Sequence, residues 1–165
     1  MLCSPVISNV QVTKTLIDGG AGLNVLSVET FDSLQVPYDQ LQPTKPFSGV
    51  TNGSTTRIGQ VRLPVTFGQR DNYRTELIDF DVAHIRLPYN AILGYPALAK
   101  FMVVAHHGYH VPKMPGSGRI ITVPCEERDA VCSLERALQA ASIKDPSSKG
   151  ENPPEAIPKK KKQPL

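Results

Sequence analysis

The sequence predicts a small, mainly β domain with a hairpin that projects from it and one or two short helices. Three stretches support this prediction: an acidic turn between two apolar segments at residues 16–26, a hairpin pattern at 47–67, and an apolar run that ends in glycine at 91–94. The chain has 165 residues and 40% hydrophobic content, which suits one domain with a modest core.

The acidic turn is centred on Asp18. Leu16 and Ile17 precede it as apolar strand formers, and Gly19 and Gly20 follow it. This order carries a carboxylate out of a buried strand into a sharp turn, where the glycines allow another group to approach closely. A solvated Asp-Gly turn is the commoner alternative.

The segments around this turn predict short elements. Residues 6–13 alternate in polarity and predict a strand, and Lys14 and Thr15 then turn the chain into a first hairpin that ends at Asp18. After the turn, residues 24–26 predict a second short strand. Ser27 is positioned to cap a helix that ends before Pro37. The apolar residues along one side of this helix are Val28, Phe31 and Leu34.

The middle of the chain has the pattern of a long hairpin. Two extended segments, at 47–50 and 56–65, flank a polar tip that contains Asn52 and Gly53, and Asn-Gly is a strong hairpin signal. An ordinary surface hairpin is one interpretation. A further strand is predicted over 73–82.

Two polar clusters invite a metal interpretation that we do not favour. Asp79 and Asp81 flank Phe80, so both acids should lie on the opposite face of the strand, which we interpret as solvated. Three histidines fall within five residues at 106, 107 and 110, but no carboxylate or cysteine accompanies them at useful spacing. We interpret the histidine segment as a hairpin turn, and we predict no metal site.

The last third of the predicted domain contains a buried strand followed by a helix. The strand covers Ala91, Ile92 and Leu93 and stops at Gly94. A helix is expected to begin near Pro96, with Leu98 and Phe101 facing inward. Further strands are predicted at residues 102–105 and 119–123.

The acidic turn, the hairpin and the Ile-Leu-Gly run, in this order, resemble the retropepsin-like aspartic proteases, most closely those of plant Gypsy-type LTR retrotransposons. The resemblance covers residues 5–125 and implies a small closed barrel with a flap hairpin, which we assign to residues 1–125. It implies four groups of site residues: Asp18 as the catalytic aspartate; Gly19, Gly20 and Ala21 as the active-site loop; Ile92, Leu93 and Gly94 as the supporting strand; and Val50, Thr51, Asn52 and Gly53 as the substrate-binding flap.

The resemblance also implies an activity and a partner. Peptide hydrolysis by carboxylates needs two of them, one to accept a proton from water and one to donate a proton. The chain has one aspartate in the right context, so a twofold homodimer would supply the second. The expected function is therefore a homodimeric aspartic endopeptidase that processes a retrotransposon polyprotein without a cofactor.

Three positions depart from the family pattern. Family members usually carry Thr or Ser where this chain has Gly19, and that hydroxyl braces the two loops of the dimer. Retroviral relatives also pair an acid with an arginine at positions that correspond to Gly22 and Tyr95. These departures leave open a second hypothesis, a catalytically inactive retropepsin-like module for binding or dimerisation.

The C-terminal part of the chain differs in composition from the rest. Residues 126–142 place apolar side chains at helical spacing and predict an amphipathic surface helix; they are Ala130, Val131, Leu134, Leu138 and Ala141. Residues 143–165 are rich in proline and lysine and predict a disordered tail.

Charge, cysteine content and hydropathy argue against several classes of protein. The net charge is +3, but residues 1–143 carry twelve basic and twelve acidic side chains, so a nucleic-acid groove is not indicated. Three cysteines without metal-ligand spacing, Cys3, Cys125 and Cys132, favour free thiols. With no membrane-length apolar run and no signal-peptide pattern, we expect a soluble intracellular protein of the cytoplasm.

Overall fold

The structure is a computed structural model that describes residues 1–44, 57–84, 88–106 and 111–126. Its elements are two short α-helices, one 3-10 helix and eleven strands within those residues. In chain order they are β1 (Leu2–Cys3), β2 (Val6–Ile7), β3 (Val10–Gln11), β4 (Thr15–Ile17), β5 (Val25–Ser27), α1 (Val28–Ser33), the 3-10 helix (Tyr38–Gln40), β6 (Arg57–Gln69), β7 (Asn72–Ala83), β8 (Ala91–Leu93), α2 (Tyr95–Phe101), β9 (Val104–His106), β10 (Val111–Pro115) and β11 (Ile120–Thr122).

The strands form two sheets. The larger sheet has eight strands in the order β1-β4-β8-β5-β7-β6-β2-β3, and it curls into a half-barrel. The smaller sheet has three antiparallel strands in the order β11-β10-β9. The prediction of a mainly β fold with few helices is confirmed.

The core fills the inside of the curled sheet. Alternate side chains of the long hairpin point inward. Both helices pack against the core, because Phe31 of α1 and Phe101 of α2 are fully buried. Phe101 meets Phe67 of β6 edge to face, with ring centroids 5.1 Å apart. Ser27 caps α1 as expected, since its hydroxyl accepts a hydrogen bond from the Thr30 amide at 3.1 Å.

The longest element is the β6–β7 hairpin. Its turn lies at Arg70 and Asp71, and Gly68 precedes it with a φ of +104°, a conformation that favours glycine. The tip is attached to the loop before β11, because the Asn72 side chain donates to the Arg119 carbonyl and Arg119 pairs with Asp71. The hairpin therefore joins the two sheets.

The prediction of one strand over residues 6–13 is wrong. The chain instead makes the tight β2–β3 hairpin, in which Ser8 and Asn9 have φ values of 46° and 69°. The predicted hairpin into Asp18 does not form either, because β4 pairs with β1 on one side and with β8 on the other. The short strand β1 was not predicted.

The end of the described chain also differs from expectation. Met102 is not in a strand; it ends α2 in the left-handed conformation, and β9 begins at Val104. Strand β10 was not predicted, because two of its five residues are prolines, which are rare in central strands.

Asp81 is not on a solvated face. It is only 6% exposed, whereas its neighbour Asp79 is half-buried. Both faces of β7 are covered at this end, so the strict alternation of buried and exposed residues is lost.

Several predictions lie outside the described residues. They are the first arm and tip of the flap hairpin, the helix at 126–142 beyond its first residue, the tail at 143–165 and Cys132. Cys3 and Cys125 are described and are free thiols. Among the helices of the described ranges, none is both long and apolar enough to cross a membrane.

Candidate active site

The site is built where β8 passes between the strands on either side of the acidic turn. Strand β8 pairs in parallel with β4 and antiparallel with β5, so Ile92 lies between Leu16 and Val25. The loop from Asp18 to Asn24 must therefore cross over the end of β8. This crossing places Leu93 and Gly94 directly beneath the loop.

Backbone hydrogen bonds fix the loop at both ends. The Asp18 amide donates to the Leu93 carbonyl at 3.0 Å, and the Tyr95 amide donates to the Ala21 carbonyl at 2.8 Å. Within the loop, the Ala21 amide donates to the Asp18 carbonyl, and the Gly20 amide donates to the Asp18 Oδ1 at 2.9 Å. The carboxylate is thus oriented by its own turn.

Gly94 lies under the loop at a position where a side chain has no space. A Cβ there would lie 2.3 Å from the Leu23 carbonyl oxygen and 2.5 Å from that of Ala21. Its φ of −85° is accessible to any residue, so the requirement for glycine is steric. The glycine of the Ile-Leu-Gly run lets the acidic loop lie flat on the end of β8.

Asn24 is a supporting residue that the sequence did not reveal. It is buried; its Nδ2 donates to the Asp79 carbonyl at 3.0 Å, and its Oδ1 accepts from the Gly94 amide at 2.9 Å. One side chain therefore joins β5, β7 and the end of β8. The only signal in the sequence is an amide within an apolar strand.

The loop glycines differ in the space around them. A Cβ at Gly19 would meet only the Leu98 Cδ1, at an ordinary contact distance of 3.9 Å. A Cβ at Gly20 would lie 3.3 Å from the Asp18 Oδ1, close enough to press on the carboxylate. The fold therefore admits a side chain at Gly19 and resists one at Gly20.

Asp79 and Asp81 take part in ion pairs with arginines on β6. Arg62 donates two hydrogen bonds to the Asp79 carboxylate, which lowers the pKa of Asp79. The Asp81 Oδ2 lies 3.5 Å from the Arg57 Nη1, and its buried Oδ1 has no hydrogen-bond partner within the described chain. These ion pairs connect the two strands of the long hairpin.

The base of the predicted flap is described, although its tip is not. Gln42 and Gln60 form an antiparallel bridge with hydrogen bonds of 2.8 and 2.9 Å in both directions. The bridge joins the chain on the two sides of the predicted flap. The predicted flap residues Val50, Thr51, Asn52 and Gly53 lie outside the described residues.

The histidine segment is described only at its edges. His106 ends β9 opposite Val111 of β10, while 107–110 lie outside the described residues. In the part of the chain that the structure covers, no three His, Cys, Asp or Glu side chains come together as metal ligands.

Comparison with known proteins identifies the fold. No protein-family model and no curated protein matches the sequence. Among solved structures, the retroviral protease-like domain of Ddi1 from Leishmania major matches with a TM-score of 0.52 and 17% identity, over 78% of this chain and 96% of that one. A retropepsin-like aspartic protease from Rickettsia conorii matches with a TM-score of 0.50 and 18% identity, over 74% of this chain and 80% of that one.

The fold is therefore retropepsin-like. At these identities the likeness defines the architecture, and any activity has to be argued from the residues at the acidic turn.

Proposed function

We propose that this protein is an aspartic endopeptidase whose active unit is a homodimer. The observation that carries the proposal is the placement of Asp18: it directly follows β4, its turn rests on β8, and Gly19 and Gly20 beside it are exposed. Half-buried Asp18, its carboxylate oriented by the Gly20 amide, thus lies in a loop that another chain can approach closely.

A twofold axis at this loop would bring two Asp18 carboxylates together. Two acids a few ångströms apart do not both ionise readily, so the pair shares one proton. The ionised acid accepts a proton from water as the water attacks the peptide carbonyl. The protonated acid donates to the carbonyl oxygen, and a proton later passes to the leaving amine.

The proposed substrate is an extended peptide segment of a polyprotein, cut inside the cell. The proposed flap lies between Gln42 and Gln60, which the structure joins in a bridge, and it would close over the peptide and exclude water. We further propose a plant Gypsy-type retrotransposon as the origin, because the Asp-Gly-Gly-Ala and Ala-Ile-Leu-Gly motifs resemble that group.

The test is cleavage of a mixed peptide library by the purified chain at mildly acidic pH, with and without pepstatin. We expect pepstatin-sensitive cleavage that is lost in Asp18→Asn. Asp39→Asn, an exposed acid of the 3-10 helix, is the control and should retain activity. The proposal fails if the folded protein cleaves nothing, or if Asp18→Asn cleaves as well as the parent.

Gly19 favours a second candidate, a binding or dimerisation module without catalysis. The family pattern has a hydroxyl here that braces the dimer, and Gly19 has none. Tyr95, at the position of the retroviral arginine, is 66% exposed. A stable monomer that neither cleaves peptide nor binds pepstatin would support this candidate over the protease.

A further inference from the structure

The outer face of the small sheet is unusually apolar for a surface. Val104 is 71% exposed, Ile120 67% and Met102 55%. Together with Val111 and Pro115 they line a groove of about 740 Å³. Contiguous apolar surface of this kind marks a contact site, whereas single exposed apolar residues are ordinary.

This face is the solvent side of a sheet whose other side belongs to the core. In β10, Pro112 and Met114 are buried while Lys113 between them is exposed. In β11, Ile121 is buried between two exposed neighbours. The apolar residues on the outer side are therefore not needed for the core that the structure describes.

The chain leaves this sheet and continues directly into an apolar stripe. The Val123 amide donates to the Pro112 carbonyl at 2.9 Å, and the Glu126 amide donates to the Leu2 carbonyl at 3.0 Å. These bonds anchor the chain up to residue 126. Next in the sequence come residues at helical spacing with an apolar stripe that includes Val131, Leu134 and Leu138.

We propose that residues 127–141 form an amphipathic helix that packs on the outer face of β9, β10 and β11, with Leu134 and Leu138 against Val104 and Ile120. A helix of this length measures roughly 20 Å, and three strands are roughly 10 Å across from first axis to last, so the helix can cover the sheet. The helix would bury the groove and the stripe in one contact.

Charge also matches between the two surfaces. Lys113 lies in the middle of the groove. Residues 127–141 contain three acids and two arginines, and the acids are Glu127, Asp129 and Glu135. The net negative charge of the segment favours a groove with a lysine at its centre.

Disulfide pairing in the full chain tests the contact. Cys125 and Cys132 are replaced by serine, while Cys3 is kept, because burial raises the pKa of its thiol and leaves it unreactive. Ile120→Cys is then combined with Leu134→Cys on the apolar stripe. The matched control combines Ile120→Cys with Arg136→Cys, which lies on the opposite side of the same helix.

Under oxidised glutathione, we expect the 120–134 pair to form an intramolecular disulfide at least about tenfold faster than the 120–136 pair. The packed helix would keep residue 134 next to residue 120 and would point residue 136 away from the sheet. Equal rates would overturn the proposal. Disulfides between chains in place of those within a chain would also overturn it and would assign the face to a second copy.

Amide hydrogen exchange tests the proposal without introduced cysteines. We expect amides 130–141 to be protected in the parent and to lose that protection in the double variant Val104→Ser and Ile120→Ser, while β4 and β8 stay protected. Absence of protection at 130–141 in the parent would contradict the proposal, and so would protection that survives the double substitution.

Discussion

Asp18 depends on its neighbours for orientation more than on its own packing. Its amide is fixed by Leu93, its carboxylate accepts from the Gly20 amide, and the loop beyond it is fixed by Tyr95. Small residues around it therefore have distinct steric roles. Gly94 is needed because no side chain fits, whereas Gly19 has room for one.

Gly19→Thr is predicted to tighten the proposed dimer. The Cβ fits beside Leu98, and the added hydroxyl would restore the bracing hydrogen bond that the family pattern carries. At about 1 kcal/mol for each of two bonds, the dimer dissociation constant should fall roughly tenfold to thirtyfold. Analytical ultracentrifugation measures it. Gly22→Ser is the matched control, and an unchanged constant in Gly19→Thr would contradict the assigned role of this position.

Gly94→Ala is predicted to lower the free energy of unfolding by about 2 kcal/mol or more. The added Cβ would collide with two backbone carbonyls of the acidic loop. Urea unfolding gives the free energy. Gly118→Ala, where nothing lies within 4 Å of the added atom, is the control and should change little. Equal stability of the two variants would show that the loop does not rest on Gly94 as described.

Among the elements, β5, β7 and β8 are joined through Asn24. Its two hydrogen bonds link positions 55 and 70 residues away along the chain. The strands that form the site are each only three residues long, except β7, so their pairing depends on such links.

Asn24→Leu is predicted to destabilise the fold by about 1 to 3 kcal/mol, because it leaves the buried Gly94 amide without an acceptor. Thermal unfolding is the measurement. Gln11→Leu, an exposed amide on β3, serves as the comparison. If both substitutions had the same small effect, the link between β5 and β8 would not contribute to stability.

The Arg62–Asp79 ion pair between β6 and β7 makes the stability of the fold decrease at acidic pH. Hydrogen bonds from Arg62 hold the pKa of Asp79 below its usual 3.8 in the folded state. The stability that the Asp79 carboxylate contributes is therefore fully present above the pKa that Asp79 has in the unfolded chain. It is lost as the pH falls through the lower pKa that Asp79 has in the folded protein. Asp79→Asn should show a smaller loss of stability than the parent between about pH 5 and pH 3.

The control for Asp79→Asn is Glu29→Gln, which removes one exposed acid from α1. Urea midpoints at both pH values provide the comparison. A parent and an Asp79→Asn variant with the same pH dependence would mean that the Arg62 pair does not act in solution.

The sequence indicated the elements with clear local patterns. The Asp-Gly-Gly turn, the Ser27 cap and the Ile-Leu-Gly strand each have a local chemical signature. Strand β1 and the β2–β3 hairpin were missed or mistaken because strands of two residues have no periodicity. Asn24 was missed because its role depends on partners that only the tertiary structure brings near.

At the scale of the whole molecule, the proposed function gives one chain half of a catalytic pair. The curled sheet presents the Asp18 turn, and the described acids on β7 are engaged with Arg57 and Arg62 instead. Under the proposed function, a complete site requires Asp18 from two chains, and activity therefore depends on the composition of each dimer.

The most direct test of this claim is to mix parent protein with Asp18→Asn at equal amounts and to measure peptide cleavage after the chains have exchanged. If each site needs Asp18 from both chains, random pairing at a protein concentration well above the dimer dissociation constant leaves about half of the activity that the same parent protein shows alone. Undiminished activity in the mixture would contradict the shared site.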